Sequence, residues 1–294
     1  MKTQEMIPDY LREIYPFEGQ FRPANGGIQH YLDLNPSAEE CIVAVHGNPT
    51  WSFYWRTLTS FSDNFRVIIP DHIGCGLSDK PQDWSYQLAD HVQNLTDLLL
   101  SLEVKKIHLI VHDWGGAIGM GFATKYPDTI ASITITNTAA FRSQEIPLSI
   151  ASCRIPIFGS LAVRGCNAFA GVATWRATAK GLSKTVKKGL TFPYNNWKNR
   201  IATLRFVEDI PLKESHPSYA TLTSIEEGLS KLQSHPMQIL WGEQDFCFTP
   251  NFRKQWQERF PNAEVCAWDD VGHYVMEDAS ERVLERMKDF LQRV

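Results

Sequence analysis

Four short motifs with reactive side chains each follow an apolar or strand-like run of residues. The motifs are HGNPTW at residues 46–51, HDWGG at 112–116, GEQD at 242–245 and GH at 272–273. In open sheets of parallel strands, ligands bind beyond the carboxyl ends of the strands. The motifs are therefore predicted to meet at one edge of a sheet, where they would supply two carboxylates, Asp113 and Asp245, and one imidazole, His273.

Asp113 lies where a strand runs directly into a helix. The apolar strand predicted at residues 106–111 leads into Asp113-Trp114-Gly115-Gly116, and a helix is predicted from residue 117 to 125. This pattern resembles a nucleophile elbow, in which a sharp turn exposes one reactive side chain. An elbow usually carries serine at its apex. The carboxylate here predicts a nucleophile that forms an ester with the substrate, rather than a serine esterase.

Asp245 and His273 complete the order nucleophile, acid, histidine along the chain. Hydrolysis of an ester intermediate needs a base that activates water, and an imidazole suits that role near neutral pH. A carboxylate beside the imidazole holds its tautomer and stabilises its protonated form. The sequence therefore predicts His273 as the base and Asp245 as its partner.

Two backbone groups are candidates for an oxyanion hole. In this type of site, the donors come from the loop after an early strand and from the residue after the nucleophile. Pro49 has no N–H, so Asn48 is predicted to be the donor in the first loop and Trp114 the second donor.

The elements that must position these residues alternate between strands and helices. Short β-branched or apolar runs predict strands at residues 41–45, 66–70, 106–111, 132–136 and 237–241, with a further strand-like segment at 263–268. Apolar residues at helical spacing occupy 86–102 and 283–291. This alternation predicts an α/β protein with a mostly parallel sheet between helices.

The strand and helix rhythm is interrupted between residues 141 and 214. This stretch is rich in proline and glycine, and its apolar residues have helical spacing. It is predicted to be a helical cap inserted into a core formed by residues 1–140 and 215–294.

Composition limits the class of protein. The chain has 294 residues, of which 43% are hydrophobic and 21% are charged, as expected for a globular protein. A net charge of −4 without a basic block makes nucleic acid an unexpected partner. No apolar run reaches the roughly 18 residues of a membrane span, and the start of the chain does not resemble a signal peptide. We therefore expect a cytoplasmic protein without a membrane span.

No metal or other cofactor is expected from the sequence. The six cysteines are scattered without a Cys-x-x-Cys pair, so they predict neither a disulfide framework nor a zinc site. The chemistry of a carboxylate and an imidazole needs no metal ion.

Taken together, these motifs carry a family resemblance. The chain resembles the α/β-hydrolase fold, and HGNPTW, PDHIGCGLSDKP, VHDWGG, WGEQDF and VGHYVMED resemble the haloalkane dehalogenases, particularly their third subgroup. The resemblance implies that Asp113 displaces halide from an alkyl carbon and that His273, with Asp245, directs hydrolysis of the ester. It also implies that the Asn48 amide and the Trp114 indole bind the leaving halide.

A second resemblance involves the predicted cap. The segments CRIP at 153–156, VRGCNAF at 163–169 and FPYNNW at 192–197 resemble the β-lactone decarboxylases of long-chain olefin biosynthesis. That resemblance implies conversion of a cis-β-lactone to an alkene by the same aspartate, with a carboxylate leaving in place of halide. Arg154 and Arg164 become candidates to bind that carboxylate.

The predicted triad does not distinguish the two reactions. Lactone decarboxylation is the leading hypothesis and hydrolysis of alkyl halides the alternative, and both imply a small hydrophobic substrate. Assembly into a homo-oligomer or with other enzymes of the pathway stays open.

Two further classes are weaker alternatives. Epoxide hydrolases share HDWGG but have an aromatic residue in place of Asn48 and two cap tyrosines; here only Tyr194 lies in the predicted cap, with Tyr219 just beyond it. Fluoroacetate dehalogenases carry arginine where this chain has Trp114. A non-enzymatic receptor or scaffold role is disfavoured because nucleophile, acid, base and both anion donors are all present.

Overall fold

The computed structural model describes residues 3–294 and contains one eight-stranded sheet. The strands are β1 (Gln20–Ala24), β2 (Gly27–Leu34), β3 (Glu40–Val45), β4 (Arg66–Pro70), β5 (Lys106–Asp113), β6 (Ile130–Thr138), β7 (Met237–Gly242) and β8 (Glu264–Trp268). Their order across the sheet is β1-β2-β4-β3-β5-β6-β7-β8. The first two pairings in this order are antiparallel and the others are parallel.

Twelve α-helices accompany the sheet in the described residues. They are α1 (Thr3–Met6), α2 (Asp9–Arg12), α3 (Leu88–Ser101), α4 (Trp114–Ala123), α5 (Leu148–Ser152), α6 (Ala168–Arg176), α7 (Lys184–Thr191), α8 (Ile201–Glu208), α9 (Tyr219–Gly228), α10 (Pro250–Arg259), α11 (Val275–Asp278) and α12 (Ser280–Leu291). Shorter helical turns include a 3₁₀ segment at Ser52–Asp63 and a π-helical segment at Ser160–Gly165.

The central strands are buried on both faces. Val43 and Val45 of β3 belong to one apolar cluster, whereas Ile42 and Ala44 belong to the other, because successive side chains of a strand point to opposite faces. Helices α3 and α4 cover the first face, and α12 covers the second. Continuous apolar strands are typical of a parallel sheet between two helical layers.

The strands predicted from the sequence are confirmed, but the hairpin of β1 and β2 was not predicted. Ala24 pairs with Gly27, so the two strands are joined by a two-residue turn at Asn25 and Gly26. Gly26 has a φ of 102°, which favours glycine. An Asn-Gly pair is a strong hairpin signal, although the partly exposed β1 lacks the apolar run that marks the central strands.

All of the regular secondary structure between the end of β6 and the start of β7 is helical. This described stretch contains α5 to α9 with their connecting turns, and α9 packs against α4 of the core. The division of the chain at residues 141 and 214 stays a prediction. Within residues 3–294, the helices are all too short or too polar to cross a membrane.

Candidate active site

Asp113 lies at the sharp turn between β5 and α4. Its backbone has φ 51° and ψ −128°, a conformation that is unfavourable for a residue with a Cβ. The Thr138 hydroxyl donates a hydrogen bond to the Asp113 carbonyl oxygen and holds the turn from the neighbouring strand. Strained backbone of this kind persists where the surroundings determine it, and it often occurs at active sites.

Three glycines make room for this turn. A Cβ on Gly115 would collide with the carbonyl oxygen of Val45, and one on Gly116 would collide with the side chain of Thr138. A Cβ on Gly47 would overlap the Asp113 carboxylate itself. Glycine at these positions therefore lets the loop after β3 and the start of α4 approach the carboxylate.

The structure brings Asp113, His273 and Asp245 together at the carboxyl ends of β5, β8 and β7. The Nε2 atom of His273 lies 3.7 Å from Asp113 Oδ2, and its Nδ1 atom lies 2.7 Å from Asp245 Oδ2. The three residues are 7%, 5% and 4% exposed, in the order Asp113, His273 and Asp245. This is the spatial arrangement that the sequence predicts for a nucleophile, a base and an acid.

The electrostatics of the triad depend on the charge of Asp113. Burial raises the pKa of Asp113 above its ordinary value, against the opposing effects of His273 and of the backbone N–H groups of Asn48 and Trp114. Burial alone would lower the pKa of His273, but the charge and hydrogen bond of Asp245, with the charge of Asp113, raise it. Removal of the Asp113 charge would therefore make His273 easier to deprotonate.

Two backbone N–H groups face the nucleophile. The Asn48 N–H donates to Asp113 Oδ1 at 2.6 Å, and the Trp114 N–H also stabilises the charged carboxylate. Because Oδ1 is held in this way, Oδ2 is the oxygen turned towards His273. The structure thus places the two predicted oxyanion donors on the carboxylate.

The side chains of Asn48 and Trp114 line the cavity in front of Asp113. The Asn48 amide donates one proton to the Thr203 carbonyl oxygen at 3.2 Å, which leaves the second proton of this amide group. The Trp114 indole packs against Phe206, and its N–H has no acceptor among the described residues. Each side chain therefore keeps an N–H that could bind an anion.

The cavity has a volume of about 130 Å³ and is mostly apolar. Its apolar lining includes Leu88, Ala117, Phe141, Ile146, Ile150, Phe169, Val207, Ile210, Leu222, Phe248 and Phe252. Its polar lining away from the triad consists of Ser143, Glu145 and the Cys247 thiol, whose pKa burial raises well above its ordinary value. Helices inserted between β6 and β7 supply one wall, and α3, α4 and α10 supply others. Such a cavity suits a hydrophobic substrate.

The arginines predicted as cap candidates do not line this cavity. Arg154 donates to the Ile210 carbonyl oxygen at 2.6 Å. Arg164 donates to Gln82 Oε1 at 2.6 Å and lies over the Trp197 ring. Both guanidinium groups are thus engaged in contacts that support the insertion, outside the cavity lining.

Two positioning residues were given no role by the sequence. Asn137 donates from Nδ2 to Asp245 Oδ2 at 2.9 Å and accepts at Oδ1 from the Gly242 N–H, which fixes the acid beside β6. His112 donates from Nε2 to the His273 carbonyl oxygen at 2.9 Å, because a carbonyl oxygen only accepts, and burial lowers the pKa of His112 and keeps the ring neutral. Each lies at or near the end of a strand, and only the fold shows what each one contacts.

Neither tyrosine considered for epoxide chemistry lines the cavity. Tyr194 is fully buried, and its hydroxyl donates to the Thr50 carbonyl oxygen at 3.2 Å. Tyr219 lies at the start of α9 beside Arg142. The geometry therefore lacks the paired phenols that would protonate an epoxide oxygen. Across residues 3–294, side chains suited to metal binding do not cluster in groups of three or more.

Comparison with known proteins identifies enzymes that are related to this chain. Residues 40–280 match the family described as the alpha/beta hydrolase fold. The chain is 44% identical to a cis-3-alkyl-4-alkyloxetan-2-one decarboxylase of Shewanella oneidensis, over 96% of this chain and 90% of that protein. It is 26% identical to haloalkane dehalogenase 2 of Mycobacterium tuberculosis, over 92% of this chain and 94% of that protein.

A solved structure shows the same fold. The crystal structure of a haloalkane dehalogenase from Bradyrhizobium elkani superimposes with a TM-score of 0.83 at 23% identity, covering 94% of this chain and 99% of that chain. At this identity, the similarity concerns the fold alone.

Proposed function

Since the chain belongs to the α/β-hydrolase fold family and to the family of the Shewanella oneidensis decarboxylase, we propose that it converts cis-β-lactones to alkenes. The expected substrate is an oxetan-2-one with an alkyl chain on each of two adjacent ring carbons. The observation that carries the choice of substrate is the identity of 44% to that decarboxylase, against 26% to a dehalogenase. The site geometry serves both reactions, because each needs a carboxylate nucleophile and donors for a leaving anion.

In the first step, Asp113 Oδ2 attacks the alkyl-bearing ring carbon that is bonded to the ring oxygen. A new C–O bond forms between Asp113 and this carbon, the bond to the ring oxygen breaks, and its electron pair passes to the released carboxylate. The free N–H groups of Asn48 and Trp114 would bind this carboxylate. No proton moves in this step, so it needs an ionised Asp113 but no base.

In the second step, the bound carboxylate leaves as carbon dioxide. The electron pair of the broken C–C bond forms the alkene, and the Asp113 oxygen leaves with its own pair, which regenerates the free carboxylate. The atoms balance without water. Because attack inverts the carbon and an anti elimination follows, the two alkyl chains stay on the same side of the double bond.

The apolar cavity favours this second step over persistence of the ionised intermediate. Burial of a carboxylate without full pairing is costly, whereas carbon dioxide and an alkene carry no charge. His273 and Asp245 would then stabilise Asp113 as its negative charge returns. Ester formation removes one of the charges that raise the pKa of His273, so more of the imidazole is neutral and able to accept a proton if water enters.

Hydrolysis of alkyl halides is the second candidate function. It is favoured by the side-chain N–H groups of Asn48 and Trp114, which line the cavity with Asp113, and by His273 Nε2, which lies 3.7 Å from Asp113 Oδ2 and could activate water once the alkyl ester has formed. In that reaction the halide leaves in the first step and water cleaves the ester in the second.

The test compares the two substrates directly. Purified protein is incubated separately with a long-chain cis-3,4-dialkyl-β-lactone and with a panel of bromoalkanes, and alkene and bromide are measured by gas chromatography and ion chromatography. We expect cis-alkene from the lactone in excess of bromide release. Bromide release without any alkene would assign the protein to alkyl halides. A cytoplasmic location and assembly with itself or with other enzymes of the pathway stay predictions.

A further inference from the structure

The most exposed apolar side chains of the molecule are concentrated in one short segment. Among residues 3–294, every large apolar side chain that is more than half exposed lies between positions 148 and 175. We call this group the apolar ridge, and its members are Leu148 (88% exposed), Ile155 (54%), Ile157 (78%), Phe158 (55%), Leu161 (57%) and Trp175 (63%). Single exposed apolar residues are common in proteins, whereas a group of them marks an interaction surface.

The ridge is built from elements that contact one another. Four members lie in the tight turn around Pro156 and the start of the π-helical segment, where the Gly159 N–H donates to the Ile155 carbonyl oxygen and the Leu161 N–H to that of Ile157. The π-helical segment packs against α6, which carries Trp175. Five members of the ridge thus lie on elements in contact, and the sixth, Leu148, begins α5, which leads into the same turn.

The segment that carries the ridge is strongly basic, although the whole protein is acidic. Residues 141–214 contain 12 of the 29 lysines and arginines but only 4 of the 33 aspartates and glutamates. The segment therefore has a net charge of +8, whereas the whole chain has −4. A basic surface around exposed apolar side chains is complementary to an anionic lipid layer, where apolar groups enter the acyl region and cations meet the head groups.

Several of these cations are exposed and have no carboxylate partner, although Arg176 lies over the Phe246 ring and Lys188 over the Tyr10 ring. Arg176, next to Trp175, is exposed, as are Lys184 and Lys188 of α7 and Lys198 beyond it. None of these four cations forms an ion pair with another described residue. Helix α7 packs against α6, so Lys184 and Lys188 lie on the helix next to the one that carries Trp175.

The ridge also adjoins the cavity. Ile146, Pro147 and Ile150 line the cavity, while Leu148 in the same turn points into solvent. Phe169 of α6 lines the cavity as well, six residues before the exposed Trp175. One segment of the chain thus forms an apolar wall of the cavity on one side and the ridge on the other.

We propose that the apolar ridge and its neighbouring lysines and arginines dock the protein on the surface of an anionic lipid bilayer. A dialkyl lactone and its alkene product are hydrocarbon-rich, so they partition into such a bilayer. Docking through the ridge brings the cavity wall to the acyl region, and the substrate then enters without crossing bulk water. The docking surface stands on exposure and charge alone, whereas this route for the substrate rests on the proposed function.

Vesicle flotation with the full chain tests the proposal. Vesicles of phosphatidylcholine alone and of phosphatidylcholine with an equal share of phosphatidylglycerol are the probes. We expect flotation with the anionic vesicles, weaker flotation with the neutral ones, and loss of the difference at about 0.5 M salt because salt screens exposed charges. Failure of the wild-type protein to float with anionic vesicles overturns the proposal.

Matched variants identify the surface. Leu148→Glu with Phe158→Glu places two charges on the ridge, whereas Leu100→Glu with Val265→Glu places two on exposed apolar positions of the core; Leu100 and Val265 are 49% and 38% exposed. Both pairs change the net charge equally. We expect the ridge pair to bind anionic vesicles at least about tenfold more weakly and the core pair to bind like wild type. Equal binding by the two variants overturns the assignment to the ridge.

Two further measurements distinguish lipid docking from self-association and from the catalytic activity. If sedimentation velocity shows a dimer that the ridge pair dissociates, while flotation is absent, the ridge is an interface between copies and the lipid proposal is wrong. Alkene release from lactone solubilised in detergent reports on the proposed function alone, and the ridge pair is expected to keep it. Flotation without alkene release from wild-type protein would refute the decarboxylase function and leave the docking surface supported.

Discussion

Functional side chains at the carboxyl edge of the sheet are buried, whereas several apolar side chains of the helical insertion are exposed. At the sheet edge, Asp113, Asp245 and His273 are almost fully buried, and each has partners supplied by a neighbouring strand or loop. In the insertion, Leu148 and Ile157 stand mostly in solvent. In the proposed function the sheet edge supplies the reacting groups, and in the proposed docking the insertion brings the hydrophobic substrate to the cavity.

Loss of the nucleophile is expected to have the largest effect. Asp113→Asn keeps the shape of the side chain but removes the carboxylate that attacks carbon, so alkene release should fall by about 10⁴-fold or more. Asp128→Asn, an exposed position just before β6, is the control and should keep wild-type activity. Measurable turnover near the wild-type rate in Asp113→Asn would mean that the nucleophile lies elsewhere.

Loss of the base should separate the two chemical steps. Attack by Asp113 requires no proton transfer, whereas hydrolysis of an alkyl ester by water does, so His273→Gln should accumulate an alkyl adduct with a bromoalkane and lose roughly 10² to 10⁴-fold in turnover. Intact-protein mass spectrometry should show one added alkyl group, and peptide mapping should place it on Asp113. Alkene release from the lactone should suffer less, because that route needs no water.

The double variant Asp113→Asn with His273→Gln is the control for this experiment. It should form no adduct. The same mass shift in the double variant would place the adduct on another residue and contradict the assignment of the nucleophile.

The two anion donors should have intermediate effects. Asn48→Ala and Trp114→Phe each remove one side-chain N–H but keep the backbone N–H on Asp113, so each should raise the barrier to ester formation by about 2 to 4 kcal/mol. Single-turnover kinetics should show that formation of the ester slows more than its breakdown. Unchanged rates in both variants would show that the leaving carboxylate binds elsewhere.

The pKa of Asp113 predicts a smaller, pH-dependent effect. Burial raises this pKa, so alkene release should decline with falling pH at a higher pH than an ordinary carboxyl would impose. Because a raised carboxyl pKa means that the ionised form destabilises the folded state, Asp113→Asn should melt a few degrees above wild type at neutral pH. The difference in Tm should shrink as the pH falls through the raised pKa of the folded protein and vanish below about pH 4, where the unfolded carboxyl also takes up its proton.

The smallest effect is expected for the arginines of the insertion. Arg154 and Arg164 bind carbonyl and amide oxygens outside the cavity, so Arg154→Gln and Arg164→Gln should change alkene release by about twofold at most. Steady-state kinetics with solubilised lactone measures this. A rise in KM of tenfold or more for either variant would show that the arginine reaches the substrate, and would weaken the contrast between the two regions.

The sequence predicted the elements whose signals are local. A buried parallel strand must be apolar along its whole length, so the central strands were recognisable from residue type alone. The elbow was equally visible, because a turn that tight needs glycines at 115 and 116 directly after Asp113. The hairpin of β1 and β2 was not predicted, because β1 is a partly exposed edge strand and has a weaker apolar pattern.

The approximate position of the triad also followed from sequence, because each member lies just after a strand and parallel strands end at one edge. The residues that hold the triad in place could not be predicted from the sequence. Asn137 and His112 hold Asp245 and His273 from strands that are more than 100 residues away along the chain, and residue type alone does not say which of several polar groups will meet.

By itself, the sequence therefore determined the fold class, the strands of the core and which residues could form a nucleophile, acid and base. Only the tertiary structure decided that Asn48 shares its amide with Thr203, that Arg154 and Arg164 turn away from the cavity, and that the ridge stays in solvent. The physical reason is the distance along the chain over which each interaction acts. Strand and turn preferences depend on neighbouring residues, whereas hydrogen-bond partners and exposure depend on which distant segments the packed chain brings together.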